Sequence, residues 1–289
     1  MAQINDYTGK TTAADTDEYI LQEISGGLTK KITRANLVKP ERDDITALQN
    51  NPSLPYGYLQ GLNISNGTDT DHQIDIATGR CKDSTGVQDI ISDSVITIDI
   101  EDLGVNGLDV GTVAADTWYY PWLIYNPTTD TEAGLLSLNA TSPTLPSGYT
   151  YFRKVRGAVL TDSSSNILGF TQNDNHFIFN TRIRNLNLST QSTSKTNFSI
   201  STPDSLTVVG LFAWSARDGA SSYVNVFGAN QADRTPAQDN SDVICESGNS
   251  GNGELTRIAE NAILSYRANR TTMDNLSIWT LGFIDNAEL

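Results

Sequence analysis

Val95-Ile96-Thr97-Ile98-Asp99-Ile100 alternates apolar and polar residues with period two, the pattern of a strand with one face on a core and the other in water. Gln73-Ile74-Asp75-Ile76-Ala77 repeats it, and Tyr58-Leu59-Gln60-Gly61-Leu62 precedes both. Downstream come the aromatic run Trp118-Tyr119-Tyr120-Pro121-Trp122-Leu123-Ile124-Tyr125 and short apolar runs at 134–138, 154–160, 167–170 and 176–179. Turn residues separate nearly all of them at hairpin-like spacing, which predicts an all-β sandwich or barrel. Residues 185–205, rich in Ser, Thr and Asn, predict a linker or weak edge strands. Strand patterning returns at 206–214, 223–227, 262–266 and 276–285, and so apolar a last strand is expected centrally in a sheet or at a subunit contact.

Composition agrees. Of the 289 residues 38% are hydrophobic, and Thr, Ser, Asn, Asp and Gly outweigh Lys, Arg and Glu, as in short strands joined by tight turns. A net charge of −15 argues against a nucleic-acid groove, which needs a clustered basic face. There is no long apolar run, and Met1-Ala2-Gln3-Ile4-Asn5-Asp6 is neither basic nor hydrophobic, so a soluble protein made in a cytoplasm is expected, with no membrane insertion. Cys81 and Cys245 lie too far apart to suggest a disulfide framework.

The first fifty residues differ from the rest. Residues 19–24 and 28–33 read as a hairpin around Ser25-Gly26-Gly27, and Asp43-Asp44-Ile45-Thr46-Ala47-Leu48-Gln49 as a short helix. So small a unit is expected to need a partner chain. Asn51-Pro52-Ser53-Leu54-Pro55 marks a first boundary. The domains are expected at 1–50, 51–182 and 183–289.

Chemistry is hard to find. His72 and His176 have no partner at metal-ligand or triad-like spacing, and there is no Gly-x-Ser-x-Gly elbow or P-loop, so no catalytic, cofactor-binding or metal site is expected. Asp69, Asp71 and Asp75 could offer oxygens to Ca²⁺ but lack the Gly and distal Glu of an EF-hand, and read as a solvated turn. Trp118, Tyr120 and Trp122 alternate onto one strand face and could stack on a glycan if exposed, although core packing is the commoner use of such residues. The same holds for Trp214 and Trp279.

Asp17-Glu18-Tyr19-Ile20-Leu21 followed by Gly26-Gly27-Leu28-Thr29-Lys30-Lys31-Ile32-Thr33-Arg34-Ala35-Asn36-Leu37 resembles the opening segment of bacteriophage tail-fibre and other virion-fibre proteins. The middle segment, with Asp75-Ile76-Ala77-Thr78-Gly79-Arg80-Cys81, Ala114-Ala115-Asp116-Thr117-Trp118-Tyr119 and Arg153-Lys154-Val155-Arg156-Gly157-Ala158-Val159, is similar to a β-rich module of phage tail fibres. The end, Trp279-Thr280-Leu281-Gly282-Phe283-Ile284-Asp285, resembles the β-sandwich that often follows it. The resemblance implies an N-terminal attachment segment and two β-sandwich or jelly-roll-like domains in a homotrimer. It also implies a structural virion protein rather than an enzyme, a short tail fibre or fibre adaptor taking part in host attachment, with a receptor-binding protein carrying a C-terminal glycan site, or a head or neck fibre or capsid decoration protein, as the alternatives. Its partners would be other virion proteins, met through Tyr19, Leu21, Leu28, Lys30, Ile32 and Leu37, and a host-surface glycan or protein.

Overall fold

In the computed structural model, which describes residues 18–22, 29–33, 53–246 and 248–285, every regular element is a β-strand. The chain divides into two units, Met1–Leu54 and Pro55–Leu289. In the first, β1 (Glu18–Gln22) pairs antiparallel with β2 (Thr29–Thr33), Tyr19 opposite Ile32 and Leu21 opposite Lys30, as the hairpin reading expects. The helix expected over 43–49, and the attachment positions Leu28 and Leu37, lie outside the described residues.

The second unit opens with β3 (Leu59–Gly61), β4 (Ile64–Asn66), β5 (Gln73–Ile76), β6 (Gly79–Lys82), β7 (Asp89–Ser92) and β8 (Ile96–Asp99). They form two three-stranded sheets, ordered β3-β6-β7 and β4-β5-β8. Ile74 faces Ile98 and Ile76 faces Ile96, so the period-two alternation buries one set of isoleucines, as its sequence pattern requires. Next, β9 (Trp118–Asn126) lies between β10 (Thr131–Ser137) and β11 (Tyr151–Lys154), and its start pairs with β12 (Val159–Leu160). Gly134 of β10 has no β-carbon, and Ile96 and Ile98 occupy that space.

The rest supplies β13 (Phe170–Asn173), β14 (His176–Leu188), β15 (Thr196–Ser199), β16 (Val208–Arg217), β17 (Ser222–Gly228), β18 (Val243–Cys245), β19 (Ser250–Ala259), β20 (Ile263–Ala268) and β21 (Asn275–Ile284). They build a five-stranded sheet, β13-β14-β21-β16-β19, and a four-stranded one, β15-β20-β17-β18. The apolar last strand β21 is central in the larger sheet, between β14 and β16.

The boundary expected at 182/183 falls inside β14, which pairs with β21 on both sides of it, Ile178 with Gly282 and Ile183 with Thr280. One hydrophobic cluster runs from Leu62 to Phe283, with residues of both expected domains. Pro55–Leu289 is accordingly one unit, not two. Residues 185–199 read as a linker because β14 and β15 expose many of their polar side chains while keeping Leu186 buried.

A buried ion pair joins the two halves of this unit. Asp285, following β21, accepts a 2.8 Å bond from the Gly157 backbone N–H and faces the Lys154 ammonium at 3.3 Å, with side-chain exposures of 1% for Asp285 and 12% for Lys154. Gly157 fits there because its φ is +93° and the Phe177 ring fills the place of a β-carbon.

Candidate functional site

The aromatic face of β9 is in the interior. Tyr120 and Trp122 are each 1% exposed, so neither presents a surface to a glycan. Trp122 packs edge-on to Phe152 with Leu145 and Tyr149 beside it, and Tyr120 lies among Ala140, Ala158 and Leu206 while its hydroxyl meets Asp204 and Ser205. Trp118 is half-buried against Phe179 and Phe283. β9 is covered on both faces, and the glycan-contact expectation for Trp118, Tyr120 and Trp122 gives way to core packing.

The other two tryptophans part company. Trp214 is half-buried against the core, and its ring comes within 3.0 to 3.2 Å of where β-carbons of Gly251 and Gly253 would be. Trp279 is half-buried on the opposite, outer face of the five-stranded sheet, with the Arg182 guanidinium over its ring at 4.6 Å. The pairing fixes its neighbours. Arg184, Trp279, Ala213 and Glu254 are opposite one another on β14, β21, β16 and β19, and residues directly opposite share a face. One row to one side come Asn187, Ser277, Ser215 and Asn252. To the other side are Ile178, Gly282, Leu211 and Thr256.

Bulges shape this face. Between Ile178 and Ile183, β14 runs four residues against one of β21, and Leu281 is the extra residue in the β21–β16 ladder. A bulge bends its strand and re-aims its side chains, and Arg182 comes from this one. Two adjoining hollows of about 550 and 520 Å³ result, both bordered by Arg182 and Glu254. Small Ala213 and Ser215 line one hollow, with Trp279 and Arg182 on one side and Asn252 and Glu254 on the other. Leu211, Leu281 and Ile178 line its neighbour. A half-exposed aromatic ring among arginine, carboxylate, amide and hydroxyl groups can bind by stacking and directed hydrogen bonds. The sequence names Trp279, but its partners come together only through strand register.

Elsewhere the polar residues have local roles. His72 Nδ1 is 3.0 Å from Asp69, which raises the imidazole above its ordinary pKa, and Glu101 lies 3.9 Å from Nε2. Asp69 also accepts from the Asp71 backbone N–H, and Asp75 accepts from Thr97 Oγ1, so two of the three candidate Ca²⁺ carboxylates hold turn and strand together. Among the described residues no group of three His, Cys, Asp or Glu is placed to hold a metal ion. Cys81 and Cys245 are free and buried, and burial pushes the Cys81 thiol up to about 12.

No protein-family model matches the sequence, and no curated protein matches it.

Proposed function

We propose that the chain is a structural attachment protein of a bacteriophage virion, a short homotrimeric tail fibre or fibre adaptor. Its first fifty residues bind the particle, and its β-rich body projects toward the host with the five- and four-stranded sheets as leaves of a sandwich. The reading gives the chain no chemical step. The observation that carries it is the division into a small unit holding the β1–β2 hairpin and a much larger all-β body, the order expected of an anchored fibre. The fibre resemblance of residues 17–37 and of the middle segment supports it, and closed three-fold assembly would protect strand edges.

The test is solution mass by light scattering for the full chain beside a chain lacking residues 1–50. A trimer is expected for the full chain, and its persistence after truncation puts the assembly contacts in the body. Monomers in both samples overturn the self-assembled fibre.

The second reading, a receptor-binding protein with a glycan site in its C-terminal half, is favoured by the face around Trp279 and Arg182.

A further inference from the structure

The groove on the five-stranded sheet is electrically lopsided. Both arginines of β14 are exposed: Arg182, from the bulge, borders both hollows, and Arg184, opposite Trp279, stands beside them at the end of the row that runs to Glu254. The ion pairs of the described residues engage Lys82, Lys154, Arg156, Arg234, Arg257, Arg267 and Arg270, and neither Arg182 nor Arg184 is among them. In a chain of net charge −15, two guanidinium groups without a described carboxylate partner make a local positive site that a mobile anion can complement. Glu254 is three strand spacings from Arg184, roughly 14 Å away.

We propose that this groove binds an acidic oligosaccharide. Arg182 and Arg184 take its carboxylate, a sugar ring rests over Ala213 against the Trp279 indole, and Asn252 and Glu254 accept hydrogen bonds from hydroxyls farther along. The inference rests on the attachment reading and names the class of surface ligand. A saccharide fits better than a peptide for two reasons. The backbones of β14, β21 and β16, which floor the groove, are paired on both sides, and the free edge of the sheet on this side belongs to β19 at the rim, so an extended peptide lying over the floor finds no main-chain partner there. The small floor at Ala213 and Ser215, rimmed by hydroxyl, amide and indole, suits a flat hydroxyl-bearing ring.

The test is calorimetric titration of the full chain with trigalacturonate, beside maltotriose as a neutral sugar and hexaglutamate as an anion without sugar rings. Trigalacturonate is expected to bind at least about tenfold more tightly than either at low salt, and to weaken at high salt. Arg184→Gln should weaken it roughly tenfold with unchanged circular dichroism. Equal affinity for trigalacturonate and maltotriose overturns the proposal, as does equal affinity for hexaglutamate or an Arg184→Gln chain that binds as well as the parent. A trimer that does not bind trigalacturonate sinks this inference and leaves the attachment reading standing, whereas a monomer that binds it sinks only the fibre.

Discussion

Removing the carboxylate of Asp285 should destabilise the body more than any change to a surface charge. In the folded protein this group accepts from the Gly157 N–H at 2.8 Å and neutralises Lys154 at 3.3 Å, both out of water. Asp285→Ala leaves an ammonium that is 12% exposed without its carboxylate and a buried N–H without an acceptor. Breaking one side of a buried pair costs about 3–5 kcal/mol, which in a unit of this size lowers the melting temperature by about 10 °C. The double variant Lys154→Met/Asp285→Leu removes both charges and leaves mainly the unpaired N–H, a cost of about 1–3 kcal/mol. Its loss should therefore be smaller than the sum of the two single losses, measured by urea unfolding. The pH dependence is a second check. Burial lowers the Lys154 pKa below its ordinary value, and the charge and hydrogen bond of Asp285 oppose that fall, so Asp285→Ala lowers it further. Between the lowered folded value and the ordinary 10.5 the unfolded chain binds more protons than the folded one, so stability rises with pH across that window, and more steeply in Asp285→Ala. A single variant losing under about 1 kcal/mol, or a double variant equal to the sum, would refute the argument.

Asp83 anchors the turn between β6 and β7. It is 0% exposed and accepts from Thr85 Oγ1, Thr85 N, Val87 N and Gln88 N at 2.6 to 2.8 Å. Asp83→Ala should cost roughly 3 kcal/mol in urea unfolding, because it orphans several donors at once. Burial alone would raise this carboxyl, but the bonds from Thr85, Gln88 and Val87 outweigh it and hold the pKa below 3.8. Its contribution is thus complete above pH 3.8 and is lost as pH falls through the lower folded value, so acid unfolding of the parent should show a component in that window that Asp83→Asn lacks. Gly157→Ala places a methyl group into the Phe177 ring at φ +93°, and the expected loss is about 2–4 kcal/mol by thermal unfolding, with Phe177→Leu recovering part of it.

Much of the fold was readable where one face is wet. β5 and β8 announce themselves by strict alternation, and the hairpin of β1 and β2 by its glycine turn. β21 was readable as a strand either central in a sheet or at a subunit contact, because Leu276, Ile278 and Phe283 leave little polar surface for a free edge, and the pairing with β14 and β16 decides for the first. What escaped has physical causes. β19 contains Gly251 and Gly253, residues that argue against a strand, yet their missing β-carbons make room for Trp214. β6 (Gly79-Arg80-Cys81-Lys82) opens on a glycine and β7 (Asp89-Ile90-Ile91-Ser92) sets two isoleucines side by side, so neither shows the alternation that marks β5 and β8. The 182/183 division failed because a linker and a strand with one exposed polar side share a composition, and only the partner strand β21, nearly a hundred residues later, tells them apart.

The same limit governs the site. The aromatic density of 118–125 drew attention to the wrong surface, since alternation reports which residues share a face but not whether that face is covered. The residues that cover it, Leu145, Tyr149 and Phe152 over Trp122 and Asp204, Ser205 and Leu206 around Tyr120, come from segments with no strand pattern of their own or from distant sequence. Trp279 is the converse. Its neighbours Ile278 and Thr280 point into the core, so Trp279 must face outward, and a large ring left on a solvated face is the stronger functional signal of the two. That Arg182 reaches its ring follows from a bulge whose extra residues are visible only once β14 and β21 are paired, so in a sheet face of this kind the binding residues are set by register, and register is the part of a fold that one strand cannot state alone.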